Sequence, residues 1–194
     1  MSSRKIEVNR KTKETDISLA LDLDGGDIKI STGIPFFDHL LTALAFHGNI
    51  GINLNAKGDI EVDPHHLIED TGLVIGEALK KTIDTYGTIK RFAHTVIPMD
   101  EALSEITLDV CGRPYLVYKA NFPQEYSGHF QMTLLKEFFA ALANTAGMSI
   151  HADCRYGENS HHMAESLFKA LGKALKQAFI LHKSNTILST KGKL

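Results

Sequence analysis

Two observations predict an α+β fold built from duplicated β/α half-domains. Each half of the 194-residue chain runs from strand-period segments into helix-period ones, and the same short motifs recur 96 to 98 positions apart. Residues 4–10 and 14–23 alternate apolar and polar side chains, the period of a half-buried strand. Asp24-Gly25-Gly26-Asp27 reads as a turn into a third strand over 28–31. From Pro35 the period changes, with Phe36, Phe37, Leu40, Leu41 and Leu44 at helical spacings until Gly48 and Gly51 end the run. Residues 50–55 and 58–62 read as two more strands. Asp63-Pro64 then opens a second helix, Asp63 as its cap and Pro64 at its first helical position, and Gly87 stops it after Tyr86.

The second half follows the same order. Residues 106–110 and 115–120 read as strands, 134–145 as an apolar helix ended by Gly147, and 148–153 as a strand. Asn159 or Ser160 caps a last helix running to about His182, and the tail shows no periodicity. Ala43-Leu44-Ala45 returns as Ala141-Leu142-Ala143, an offset of 98, and Gly76-Glu77-Ala78-Leu79 as Gly172-Lys173-Ala174-Leu175, an offset of 96. An internal repeat of this kind outranks any single motif. It predicts half-domains over 1–92 and 93–194, with two four-stranded sheets each covered by helices.

A composition of 43% hydrophobic and 23% charged residues is enough for a packed core. The net charge of −2 gives no footprint for nucleic acid or a membrane surface. No apolar run is long enough for a bilayer, and Met-Ser-Ser-Arg-Lys-Ile-Glu lacks the apolar stretch of a signal peptide. Cys111 and Cys154 have no C-x-x-C spacing and read as reduced thiols, so a cytoplasmic location is expected.

The chemistry lies in a doubled motif, His65-His66-x-x-Glu69 and His161-His162-x-x-Glu165, again 96 apart. On a helix, residues i and i+4 share a face, so His65 with Glu69, and His161 with Glu165, can each grip one cation. The adjacent His66 and His162 point about 100° around the helix, which suits them to different ions. Imidazole plus carboxylate without thiolate suits Mn, Fe or Zn in a site open to substrate. His39 and Glu137 match each other at an offset of 98, on otherwise apolar helices, 26 and 24 residues before the His pairs. They extend the set to eight candidates, too many for one ion and reasonable for two. Of the other histidines, His94, His129, His151 and His182 carry no partner spacing, and His47, just before Gly48, helps end its helix.

Phe37-Asp38-His39-Leu40, Asp63-Pro64-His65-His66-Leu67-Ile68-Glu69-Asp70, Met99-Asp100-Glu101-Ala102-Leu103 and Gly157-Glu158-Asn159-Ser160-His161-His162-Met163-Ala164-Glu165 resemble the imidazoleglycerol-phosphate dehydratase family. So do Arg10-x-Thr12-x-Glu14-Thr15 and Ser189-Thr190-Lys191-Gly192, so that the likeness runs through the whole chain in order. The resemblance implies a fold of duplicated units like the second domain of ribosomal protein S5. It implies a hydro-lyase of histidine biosynthesis that converts D-erythro-imidazole glycerol phosphate to imidazole acetol phosphate. It further implies two Mn2+ ions per active site, active sites formed between subunits, and trimers assembled into a 24-subunit homo-oligomer.

By the same resemblance Glu14 takes the carbon-bound proton and contacts substrate, and Asp100 orients a ligand or a substrate hydroxyl. Arg91, Arg113, Ser189, Thr190 and Lys191 then bind the phosphate. Many family members carry His where this chain has Glu137, and a carboxylate can replace imidazole on manganese. Without the resemblance, a dinuclear metallohydrolase acting on a phosphate ester, or a metal-storage shell, would share these ligand types. Lys191→Ala is expected to raise KM and leave bound metal unchanged; metal analysis beside steady-state kinetics checks this, and loss of metal would remove Lys191 from the phosphate site.

Overall fold

In a computed structural model of the chain, residues 3–182 are described. The first half gives β1 (Lys5–Lys11), β2 (Thr15–Asp22), β3 (Ile28–Ser31), α1 (Pro35–Gly48), β4 (Gly51–Gly58) and α2 (His65–Tyr86). The second gives β5 (Phe92–Met99), β6 (Ala102–Val110), β7 (Tyr115–Lys119), β8 (Tyr126–Ser127), β9 (Phe130–Gln131), α3 (Leu134–Ala146), β10 (Met148–Tyr156) and α4 (Ser160–Ala178). The β8–β9 hairpin apart, the halves have one order, β-β-β-α-β-α.

The sheets repeat it in space. Their strand orders are β1-β2-β4-β3 and β5-β6-β10-β7, with two antiparallel pairings and one parallel pairing in each. β2 and β6 alternate buried and more exposed positions along their length, so each sheet buries one face. The helices lie on those faces, α1 and α2 on the first sheet, α3 and α4 on the second, and one apolar core runs through both halves.

The helix layers are joined crosswise, α1 to α4 and α2 to α3. Glycines permit this. A Cβ on Gly72 would sit 2.6 Å from the Phe138 carbonyl oxygen, one on Gly76 3.0 Å from that of Leu142, and one on Gly172 would collide with that of Leu44. Gly76 and Gly172 are a repeat pair, and so are Leu142 and Leu44, so the duplication reproduces the contact itself.

The turns that carry the His pairs are fixed by repeated devices as well. The Asp63 carboxylate accepts from the His65 N–H at 2.6 Å, and the Asn159 side chain accepts from the His161 N–H at 2.9 Å. Asp63 and Asn159 stand 96 residues apart, as do Asp70 and Ser166. The Thr15 hydroxyl donates to the buried Asp70, which Arg10 approaches to 3.1 Å, while Ser166 pairs with Ser104 at 2.6 Å. One polar residue therefore ties each helix to the second strand of its sheet.

Some elements differ from the expectation. Residues 58–62 are no strand: β4 continues unbroken to Gly58, and the Val62 N–H closes a turn on the Asp59 carbonyl at 2.8 Å. β5 and the β8–β9 hairpin have weak alternation and take their order from pairing with β6 and with each other. The last helix ends at Ala178, where the Arg91 and Lys90 N–H groups take up the Ala178 and Ile180 carbonyls. The half-domain boundary placed at 92/93 falls at the first residue of β5. Cys111 and Cys154 are buried free thiols, and no helix among the described residues is long and apolar enough to cross a membrane.

Gly172→Ala and Gly72→Ala are each expected to lose about 1–3 kcal/mol through overpacking against main chain. Urea unfolding of each variant measures it; unchanged midpoints would mean the helices separate without cost.

Candidate metal centre

The helix pairing decides which ligand candidates meet. α1 begins after Thr32, whose N–H and hydroxyl donate to the Asp38 carboxylate at 2.8 and 2.6 Å, and this fixes the turn bearing His39. Because α1 lies on α4, His39 joins the motif of the other half. Its Nε2 stands 2.9 Å from Glu165 Oε2, and His161 Nε2 stands 3.2 Å from the same oxygen. The ligand atoms of His39, His161 and Glu165 all lie within 4.8 Å of one another, the set among the described residues that gathers three. Two imidazoles and a carboxylate, partly open to solvent, fit a divalent transition metal.

Glu165 is buried, which opposes its ionisation. The Lys169 ammonium, 2.8 Å from Oε1, and His39 outweigh that and hold the carboxyl at about 2. Lys169 carries no ligand signature in the sequence; its i+4 spacing from Glu165 was the available signal.

In the first-half motif the same i, i+4 pair forms, but no third ligand atom closes on it among the described residues. His65 Nε2 lies 3.5 Å from Glu69 Oε2. Glu137 is half-buried on α3, the helix packed on α2, at the place that matches His39.

His66 and His162 turn away from these sets, as the helix geometry requires. His66 Nδ1 faces the Asp59 carboxylate at 3.2 Å and Glu14 at 3.9 Å. The hydrogen bond to Asp59 raises its pKa against some desolvation, with Glu14 adding to the rise. His162 Nδ1 meets Glu101 at 2.7 Å, and its Nε2 lies 3.7 Å from Asp100. Glu101 is held at about 2 by His162 and by the N–H groups of Glu158 and Asn159. Glu14 and Asp100 thus occupy matching hairpin turns, β1–β2 and β5–β6. Sequence reasoning passed over Asp59 and Glu101, because each serves its histidine through a loop rather than at helical spacing.

A cavity of about 700 Å³ opens beside His39 and His161, walled by Phe36, Ile60, Phe130 and His129. His129, which had no partner spacing, reaches it because the β8–β9 turn folds over.

Other candidates lie elsewhere. Arg91 precedes β5 and hydrogen-bonds Asp109 at 2.7 Å, at the end of the strand opposite the Asp100 turn. At about 3.3 Å per residue that is roughly 25–30 Å away. Arg113 is exposed at the same far end, beyond β6. Ser189, Thr190 and Lys191 lie outside the described residues.

The family model described as imidazoleglycerol-phosphate dehydratase matches residues 32–175, three-quarters of the chain and nearly every residue of the geometry above. The chain belongs to the imidazoleglycerol-phosphate dehydratase family. It is 47% identical over 194 residues to the imidazoleglycerol-phosphate dehydratase of Alkaliphilus metalliredigens, covering 99% of this chain and 100% of that one. It is 49% identical over 177 residues to that of Phenylobacterium zucineum, covering 91% and 90%. Among solved structures, the Staphylococcus aureus imidazoleglycerol-phosphate dehydratase superposes with a TM-score of 0.83 at 34% identity, covering 92% of this chain and 99% of that one. The Pyrococcus furiosus enzyme, in complex with (S)-C348, gives 0.86 at 37% identity, covering 96% and 100%. Members of this family are hydro-lyases, and the two-sheet duplicated fold is theirs as well.

Since the Glu165 carboxyl lies far below its ordinary 4.5, its ion pair stabilises the fold above that pH and the benefit is lost as pH falls towards 2. Metal-free wild type should therefore exceed Glu165→Gln in urea midpoint at pH 6, with a smaller gap at pH 3; an equal gap at both would refute the pairing.

Proposed function

We propose that the chain dehydrates D-erythro-imidazole glycerol phosphate to imidazole acetol phosphate in histidine biosynthesis, in the cytoplasm, with two Mn2+ ions per active site. The observation that carries this reading is the convergence of His39, His161 and Glu165 from both halves of a family member, beside a cavity able to hold a small molecule. His39, His161 and Glu165 would hold one ion, and His65, Glu69 and Glu137 the sister position. His66 and His162 project from the same helices to complete neighbouring sites. Bound there, the ions would supply Lewis acidity to the substrate imidazole and template its orientation.

The remaining work falls to protein groups. The hydroxyl that leaves is on the carbon attached to the ring, and the C–H that breaks, on the next carbon, is not acidic. Glu14, exposed on the β1–β2 turn and 3.9 Å from His66, takes the carbon-bound proton. The hydroxyl departs as water with the proton that Glu14 took up, and the enol left behind tautomerises to the ketone. Asp100, on the matching turn, orients the departing hydroxyl or its ligand.

The phosphate falls to Arg91, Arg113 and the Ser189-Thr190-Lys191 tail. The two arginines sit at the far end of the second sheet from their own chain's histidines, and this supports active sites shared between subunits. Large exposed apolar side chains, Phe46, Val62, Phe92 and Tyr115 among them, support a homo-oligomer, which we take to be trimers arranged as a 24-subunit shell.

Stripping metal with a chelator should abolish ketone formation and Mn2+ restore it; phosphate release without ketone would favour a metallohydrolase instead. Arg113→Ala and His161→Ala homo-oligomers should each be nearly inactive. Reassembled together at equal ratio, they should regain up to about a quarter of wild-type activity, because some shared sites then draw both intact residues. No recovery would place both residues in one subunit's site.

A further inference from the structure

Two carboxylates to which the sequence assigned no role, Asp59 and Glu101, sit on the Nδ1 atoms of His66 and His162. The contact at His162 is short, 2.7 Å, and Glu101 is itself held. Its other oxygen accepts the Glu158 N–H at 3.0 Å and the Asn159 N–H at 2.7 Å, just before α4 begins. A carboxylate has no proton to give, so Nδ1 of His162 donates and the neutral ring keeps Nε2 as a bare acceptor. Asp59 does the same for His66 more loosely, at 3.2 and 3.3 Å from its two oxygens.

We propose that Glu101, and less strongly Asp59, are positioning residues that lock His162 and His66 in the Nδ1–H tautomer, so that Nε2 points outward ready to ligate an ion. The inference rests on the metal reading above and adds to it the groups that orient the ligands. A rigid anchor matters here because these two imidazoles face away from their own chain's clusters, with Asp100 3.7 Å from His162 Nε2.

Glutamine separates positioning from capping. In Glu101→Gln the amide oxygen can keep both backbone N–H bonds, which leaves the NH2 facing Nδ1. Nδ1 must then accept, and the ring proton moves to Nε2, the nitrogen the ion needs. Alanine removes both functions.

The test is Mn2+ titration calorimetry on the metal-free full chain, with thermal unfolding in parallel. Glu101→Gln should weaken Mn2+ binding roughly 10–100-fold, as much as Glu101→Ala or more, while unfolding near the wild-type temperature. Asp59→Ala should weaken it less. Wild-type affinity in Glu101→Gln beside weakened Glu101→Ala would show Glu101 to be a cap only and overturn the proposal. Should Glu101→Gln fail to fold, wild-type affinity in Asp59→Ala overturns it, and weakened affinity supports it. His162→Ala is the control: wild-type affinity there would overturn the metal reading at His162, and the lock with it. Weak binding in His162→Ala with unchanged Glu101→Gln would sink the lock alone.

Discussion

The crosswise helix contact is the constraint on which the rest depends. Gly172 lets the Leu44 backbone of α1 come so close to α4 that no side chain fits between them, and Gly72 and Gly76 do the same for α3 on α2. Close approach sets the register along each pair, and register sets which ligands meet. One turn of slip, about 5.4 Å, would part His39 from Glu165 by more than any metal–ligand bond spans. A packing requirement in the core is thus also a requirement of the candidate metal centre, and the two are separated by barely two helical turns.

Duplication has left the two centres alike in frame and unlike in charge. Both have a polar cap 96 residues apart, a buried polar tie to the second strand, and a His-His-x-x-Glu turn. The second-half set is two imidazoles and a carboxylate with Lys169 on its outer oxygen. In the first half Leu73 stands where Lys169 does, and Glu137 where His39 does. The carboxylate-rich set without a lysine is the more negative of the two, so the duplicated positions offer a cation different fields.

Much of this was readable from residues in order. Helical spacing placed His65 by Glu69 and His161 by Glu165, and sent His66 and His162 to other faces, because those relations are local and fixed by 3.6 residues per turn. The Asn159 cap was legible for the same reason, whereas in the first half the N-cap position falls to Pro64, and Asp63, one residue earlier, accepts the His65 N–H. Residues 58–62 misled, since their strand-like composition yields to a turn that the Asp59 carbonyl closes. Asp59, Glu101 and His129 escaped notice because their partners are reached through loops; Lys169, at helical spacing from Glu165, escaped because an ammonium is no metal ligand.

By itself the sequence determined the duplicated α+β frame, the eight ligand candidates and the family they belong to. All of these follow from periodicity, spacing and motif, which survive without coordinates. Only the tertiary structure decided that His39 serves the second half's motif rather than its own. It also placed Arg91 and Arg113 at the far end of the sheet, and gave the outward histidines carboxylates to hold them. Such pairings join residues 7 positions apart for His66 and Asp59, 61 for His162 and Glu101 and 126 for His39 and Glu165, through loops and across helices where helical spacing fixes nothing; close packing at the glycines sets the longest.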